Sequence, residues 1–313
     1  MNTDAVKLSI VIPTYNHESY IATCIQGVLK QKVNFNYEVL IGEDCSTDDT
    51  RAVLKELEPK LPPQFQIFYR EQNMGPGDFG NVDDLIARSK GEYLTVLEGD
   101  DFWAYEEKLQ KQIDFLDQNP DYMAVAHNCV VVDHYGQPRD KVYTECKDEE
   151  YTLQHYLYDI LPGQTATIVY RSTYTAYHNE FLREYKQYDF YPGDRVKAFL
   201  QPLLGRVACI QEAWSAYRFV EEVGQSYSAG FRDDDKFRQN QLQFFRSEYQ
   251  YAMDKQMEKA ARIFGKIYFL FLFKYGVRKR DMRRFWKELK RDKHAFSYGV
   301  HIVYRMLRKI VRR

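Results

Sequence analysis

Five short apolar runs punctuate the first part of the chain: LSIVI (8–12), YEVLI (37–41), FQIFY (65–69), YLTVL (93–97) and MAVAHNCVVV (123–132). Runs of this length, separated by stretches of helical periodicity, predict βαβ units and a mostly parallel sheet. The first intervening helix places Ile21, Cys24, Ile25, Val28 and Leu29 on one face. The second opens at S-T-D-D-T, where Ser46 and Asp49 have capping-box spacing and acidic residues suit the helix dipole. The third follows the glycines at 75–80, and the fourth carries Leu109, Ile113, Phe115 and Leu116 before stopping at Asn119-Pro120. Residues 1–135 therefore predict a doubly wound α/β unit. From 136 to 230 the pattern loosens, with strand-like TATIVY (165–170) and RVACIQ (206–211) among tyrosine-rich loops. Beyond 231 the sequence turns long, charged and helix-favouring, so the expected organisation is an α/β domain over 1–230 and a helical extension over 231–313.

With 313 residues, 44% of them apolar, the chain can bury a core without disulfide or metal staples. Its 16 glycines and 10 prolines show no period, which excludes a collagenous chain. Cys24, Cys45, Cys129, Cys146 and Cys209 are odd in number, far apart and without C-x-x-C, as expected of a reduced compartment. MNTDAVKLSIVIPTYN has no basic region followed by an apolar stretch and small-residue cleavage site, and the longest apolar run, Ile267–Phe273, falls far short of the roughly 18–20 residues that span a bilayer. A cytoplasmic location is expected.

The 44 Lys and Arg nearly balance the 45 Asp and Glu, but they are segregated. Residues 274–313 hold 15 basic and 3 acidic side chains, whereas residues 1–273 hold 29 and 42. In GVHIVYRMLRKIVRR a stripe of Ile302, Val303, Met306, Leu307, Ile310 and Val311 is flanked by Arg305, Arg308, Lys309, Arg312 and Arg313. That profile suits a helix lying on an anionic membrane surface, at the inner face of the cell membrane; it also suits a helix packed on the body with a solvated basic face. The acidic body and the lack of a recognition motif argue against nucleic acid.

In open α/β sheets the ligand site lies beyond the carboxyl ends of the strands. Pro13, Thr14, Tyr15 and Asn16 follow the first run, Glu43 and Asp44 the second, and Glu98, Gly99, Asp100 and Asp101 the fourth. Carboxylates gathered at one edge repel unless a cation or a hydrogen-bonding ligand joins them, and hard oxygen ligands point to Mg2+ or Mn2+ shared with phosphate. The competing explanation is a solvated acidic turn capping a helix that starts near Ala104, and helix capping alone explains Asp44. G75-P-G-D-F-G80 matches G-x-G-x-x-G literally, but it follows the third strand and contains a proline, so a loop and helix start is the better explanation. His127, Asp133 and His134 match no zinc spacing, and P-loop, H-E-x-x-H and G-x-S-x-G motifs are absent.

L8-S-I-V-I-P-T-Y-N16, E43-D-C-S-T-D-D-T50, N73-M-G75, A87-R-S-K-G-E-Y-L-T-V-L-E-G-D-D-F-W103 and K108-L-Q-K-Q-I113 together resemble the donor-binding half of family 2 glycosyltransferases with the GT-A fold. Y191-P-G-D-R195 and A216-Y-R218 resemble the acceptor half, so the likeness covers residues 6–225. It implies a Rossmann-like doubly wound mixed sheet, here with a C-terminal helical extension, and an inverting, metal-dependent transfer from a nucleotide-diphosphate sugar, most often a uridine one, to a polysaccharide or lipid-linked saccharide. By the same resemblance Pro13 and Tyr15 pack around the base and Asp44 accepts from it. Asp100 lies near the ribose, Asp101 on the Mn2+ or Mg2+ that bridges the phosphates, and Asp194 is the catalytic base. At the start of a helical stretch a dipole would keep Asp194 ionised, although a plain N-cap explains the same position.

The chain departs from the pattern in three places. Glu43 replaces a common aspartate, F219-V-E-E222 lacks the histidine that often follows Y-R, and the Q-x-x-R-W of processive synthases is absent, which implies transfer of a single sugar. A lapsed nucleotide-sugar binder or membrane scaffold and a nucleotidyltransferase are the alternatives; intact Asp100, Asp101 and Asp194 oppose the first, and the lack of a Gly-rich basic loop opposes the second.

Overall fold

The computed structural model describes residues 5–75, 80–143, 145–186, 193–220 and 234–311, with backbone alone for 306–311. Strand β1 (Leu8–Thr14) is apolar on both sides, and its alternation sorts those side chains into two layers. Ile10 and Ile12 join Ile21, Cys24, Ile25 and Val28 of α1 (Ile21–Leu29), Leu54 of α2 (Thr50–Leu57), and Leu109, Ile113 and Leu116 of α4 (Lys108–Gln118). Val11 joins Leu40, Val96 and Leu85 of α3 (Asn81–Arg88) on the opposite face. The sheet is thus covered on both sides, as expected of a doubly wound unit.

β1 pairs in parallel with β2 (Tyr37–Glu43) and β4 (Tyr93–Val96), and β2 with β3 (Phe65–Tyr69), whose partial burial marks it as an edge. Beyond β4 the direction reverses. β5 (Phe102–Trp103), β6 (Tyr122–Val132), β7 (Glu150–Tyr151), β8 (Val169–Arg171) and β9 (Arg206–Arg218) complete an order of β3-β2-β1-β4-β8-β6-β9-β5 among the described residues, with β7 on β9. β8 is antiparallel to both β4 and β6, and β6 is parallel to β9. The β6–β9 pairing slips at His127–Asn128 and Asn128–Cys129, where Gln211, Glu212 and Trp214 are extra residues on β9. Helices α5 (Leu153–Leu157), α6 (Tyr174–Tyr185) and α7 (Gly193–Leu204) fill the connections.

Several expectations change in detail. Leu29 is exposed rather than core. Ser46 does not cap α2: its hydroxyl accepts from Asn16 N at 3.0 Å, while Asp48 takes the Thr50 amide at 3.0 Å and Thr50 Oγ1 at 2.5 Å. The helix expected near Ala104 starts at Lys108, because Phe102 and Trp103 pair with β9. TATIVY is not one strand: residues 165–167 form a turn of 3-10 helix, held by Gln164, whose side chain accepts from Ala166 N. The G75–G80 segment lies mostly outside the described residues.

The chain divides into two compact units, Met1–His178 with Tyr191–Phe231, and Asn179–Phe190 with Arg232–Arg313. The second holds α8 (Asp235–Asp254), α9 (Glu258–Lys279), α10 (Arg283–Leu289) and α11 (Ala295–Val311). Its core is aromatic. Phe181 and Tyr185 of α6 meet Tyr251 edge-on, which explains why this stretch of the acceptor segment belongs with the helices. Phe245 meets Phe271, and Phe269 stacks on Tyr298. No described helix is long and apolar enough to cross a membrane. The expected stripe of the last helix is split, for Ile302 is buried with Tyr298 and His301 while Val303 is exposed; the side chains of Met306, Leu307, Ile310 and Val311 lie outside the described residues.

Two stability predictions follow from the packing. A Cβ at Gly91 would lie 2.4 Å from Ser9 N and 2.6 Å from Tyr93 O, both immobile backbone, so Gly91→Ala should lower the unfolding free energy by about 1–3 kcal/mol in urea denaturation. Burial, with Arg305 and Lys266 adding to it, pushes His301 from 6.5 down to about 4. The unfolded chain therefore takes up this proton first, and the contribution of neutral His301 to stability should be lost as pH falls from 6.5 towards 4. His301→Phe should flatten that part of a melting-temperature profile.

Candidate active site

The parallel strands β1, β2 and β4 end at one edge of the sheet. Because β8 runs against β4, with Thr95 opposite Val169, the residues that precede β8 arrive at the same edge. Asp44 is tied into it at both ends. Its amide donates to Thr14 O at 3.0 Å, and its Oδ1 accepts from Met74 N at 2.8 Å. Burial raises the Asp44 carboxyl above its ordinary value, opposed by the amides of Met74 and Gly75. Pro13 is half-buried and the Tyr15 ring exposed on the neighbouring strand end. Glu43 is structural: fully buried, it accepts from Arg51 Nε at 2.5 Å and Ser46 N at 2.6 Å, which fixes the loop that carries Asp44.

The E-G-D-D turn assigns different work to its two aspartates. Asp101 is 1% exposed, which excludes a solvated acidic turn. Its Oδ1 accepts from Arg218 N at 2.7 Å and its Oδ2 from Gln164 Nε2 at 2.7 Å. The same Gln164 nitrogen donates to Glu98 Oε2 at 3.0 Å. Arg218 closes the knot, donating from Nε to Asp100 O at 2.9 Å and from Nη1 to Asp133 O at 2.7 Å and His134 O at 2.6 Å, with its guanidinium 4.4 Å from the Tyr20 ring centre. Burial, reinforced by Asp100 and Glu98, holds the Asp101 carboxyl well above the usual range; burial beside Asp100 pushes Glu98 up to about 7. Asp100 keeps 23% of its side chain exposed, with Oδ2 3.9 Å from His17 Nε2. Gly99 permits this approach, since a Cβ there would fall 2.7 Å from Thr14 Oγ1 and 2.8 Å from His17 Nδ1.

No three His, Cys, Asp or Glu side chains are grouped as a metal cage among the described residues. A cation shared with a diphosphate needs fewer protein ligands, because phosphate oxygens complete its shell. Asp100, partly exposed, and Asp101, the residue expected on the metal, whose two oxygens each accept one protein hydrogen bond and keep a second lone pair, are the carboxylates that could hold it.

Asp194 is the second residue of α7, where its Oδ1 accepts from the adjacent Arg195 amide at 2.8 Å. One turn on, Lys197 feels the carboxylates of both Glu98 and Asp194, which oppose the lowering of its ammonium by burial. Asp194 is thereby linked electrostatically to the E-G-D-D turn; residues 191 and 192 of its motif lie outside the described residues. His127 is buried, with Nδ1 2.8 Å from Asn128 O, and His134 Nδ1 meets the Tyr20 hydroxyl, so neither gathers a metal site. Residue patterns missed His17, Gln164 and Lys197. His17 had a usable signal, three residues beyond Thr14 at the first strand end; Gln164 had none. Gln164→Leu should leave the buried Asp101 carboxylate short of a donor and cost about 1–3 kcal/mol, read from the urea midpoint, with a smaller loss in Gln164→Asn.

Comparison with known proteins bears on the family and the fold. The family model described as glycosyl transferase family 2 matches residues 9–183. The putative teichuronic acid biosynthesis glycosyltransferase TuaG of Bacillus subtilis is 35% identical over 109 residues, 35% of this chain and 41% of that protein. An uncharacterized protein of Mycobacterium tuberculosis is 32% identical over 172 residues, 52% of this chain and 46% of the other. The chain thus spans less than half the length of these relatives. The crystal structure of S. aureus TarS 1-349 in complex with UDP-GlcNAc superposes with a TM-score of 0.61 and 19% identity, covering 86% of this chain and 73% of that one, a likeness of fold. The mixed sheet with its acidic carboxyl edge is a GT-A fold, and the chain belongs to glycosyl transferase family 2.

Proposed function

We propose that this glycosyltransferase moves one sugar, with inversion, from a nucleotide-diphosphate sugar to a polysaccharide or lipid-linked saccharide acceptor of the cell surface. The observation that carries the proposal is the arrangement of E-G-D-D: Asp101 is locked by Gln164 and Arg218, so that Asp100 is presented, still partly open, at the sheet edge to which β2 also delivers Asp44. A uridine donor suits Asp44, a buried carboxylate whose amide bonds to Thr14 O between Pro13 and Tyr15 in the chain; those two residues would pack around the base while Asp44 accepts from its ring N–H. UDP-GlcNAc bound to TarS and the teichuronic acid pathway named for TuaG support this donor and acceptor class. Residues 1–135 form the donor half and 136–230 the acceptor half, and the basic extension over 231–313 holds the chain at an anionic membrane surface on its inner face.

In the transfer, the bond from the anomeric carbon to the diphosphate oxygen breaks and its electron pair leaves with the diphosphate. Asp101, with Asp100 beside it in the turn, would hold a Mn2+ or Mg2+, which would supply neutralisation of that charge. The acceptor hydroxyl attacks the opposite face of the sugar, and its proton passes to Asp194 as the new glycosidic bond forms. Direct displacement inverts the anomeric configuration.

Calorimetry with UDP and GDP, each with and without Mn2+, tests the donor site. Metal-dependent UDP binding should appear in the native chain and vanish in Asp44→Ala and Asp100→Asn; no binding of either nucleotide would favour a lapsed enzyme. Asp194→Asn should keep UDP binding while kcat falls about 10²–10⁴-fold. An unchanged rate would reduce Asp194 to a helix-start residue.

A further inference from the structure

Helix α11 presents two apolar faces. Tyr298, His301 and Ile302 are buried against α9, where Tyr298 closes over Gly265: a Cβ at that glycine would fall 2.2 Å from the tyrosine hydroxyl. The other face carries Phe296 at 86% exposure, Val300 at 53%, Val303 at 57% and Tyr304 at 48%. Their spacing of i, i+4, i+7 and i+8 makes one continuous ridge along the helix. A monomer in water gains nothing from displaying a phenylalanine and two valines in line, so the ridge marks a contact.

The surrounding charge identifies the occupant. Lys287, Lys290, Arg291 and Lys293 are exposed in the stretch that leads into Phe296, and residues 274–313 as a whole carry 15 basic against 3 acidic side chains. Two copies meeting through this ridge would bring like charge together, whereas anionic lipid headgroups would attract it. We infer that the ridge of Phe296, Val300, Val303 and Tyr304 is a monotopic membrane face. α11 lies in the plane of an anionic bilayer, with its ridge at the boundary of headgroups and acyl chains and its opposite face in the protein core. This rests on the membrane reading of the extension, and it moves the contact from the expected stripe, which begins at the buried Ile302, to a face rotated around the helix and beginning at Phe296.

The test uses the full chain and sedimentation with vesicles of phosphatidylglycerol and phosphatidylcholine, against vesicles of phosphatidylcholine alone. The native protein should bind the anionic vesicles and dissociate as salt rises. The triple variant Phe296→Ser, Val300→Ser, Val303→Ser touches only exposed positions; it should bind about tenfold or more weakly while retaining its melting temperature and its nucleotide binding. Equal binding by the triple variant would overturn the ridge while leaving the basic extension as the membrane contact. Failure of the native chain to bind anionic vesicles would overturn both. A dimer in sedimentation velocity that the same substitutions abolish, without vesicle binding, would assign the face to a second copy and overturn the lipid assignment.

Discussion

Burying Asp101 constrains everything around it. A carboxylate removed from water is costly unless donors replace its hydration, and here the replacements come from distant parts of the chain: the Gln164 side chain and the Arg218 amide. Each donor brings its own segment with it. Gln164 fixes the 3-10 turn that opens β8, and Arg218 ends β9 while gripping the carbonyls of Asp100, Asp133 and His134. One buried charge thereby gathers the ends of β4, β8, β6 and β9. The neighbouring Asp100 is left with a fixed backbone and a side chain free to meet a ligand.

Electrostatic crowding is the counterpart of that arrangement. Glu98, Asp100 and Asp101 lie within reach of one another, and the last is held well above the usual carboxylate range. Lys197 is reached by both Glu98 and Asp194, which oppose the lowering of its ammonium by burial. Carboxyls raised in this way hold their protons more tightly, and an entering positive charge would favour their ionised form.

The parallel half of the fold was legible because its strands are short, mostly apolar runs between helices; LSIVI and FQIFY coincide with β1 and β3 to within two residues. Strand ends then put Asp44 and Asp100 at the carboxyl edge of the sheet, and the family resemblance supplied the roles expected of them. β5 was not legible, since two residues have no periodicity and pair only because β9 reaches them. Gln164 was hidden for a related reason: its role depends on a turn 63 residues from Asp101, and a lone glutamine in a loop carries no pattern. The last helix shows the limit of phase. Ile302 and Val303 are both apolar, so spacing alone could not tell which turns inward; the close approach of Tyr298 to Gly265 decides it.

The slipped pairing of β9 on β6 acts as a length gauge. From Ala124 opposite Val207 to His127 opposite Ile210 the two strands keep step, then Gln211, Glu212 and Trp214 add length before Ser215 to Arg218 resume the ladder. Trp214 is tucked inward, its ring 5.2 Å from that of His127, and Gln211 Nε2 ties to Asp148 O at 2.9 Å, so the extra residues are anchored in place. Removing one of them would leave every earlier pair intact but deliver Phe219 to the place of Arg218, exchanging a guanidinium for a ring at the knot. The chemistry at one end of this strand is therefore set by counting along it, and an insertion or deletion at the bulge would retune the site as surely as a substitution within it.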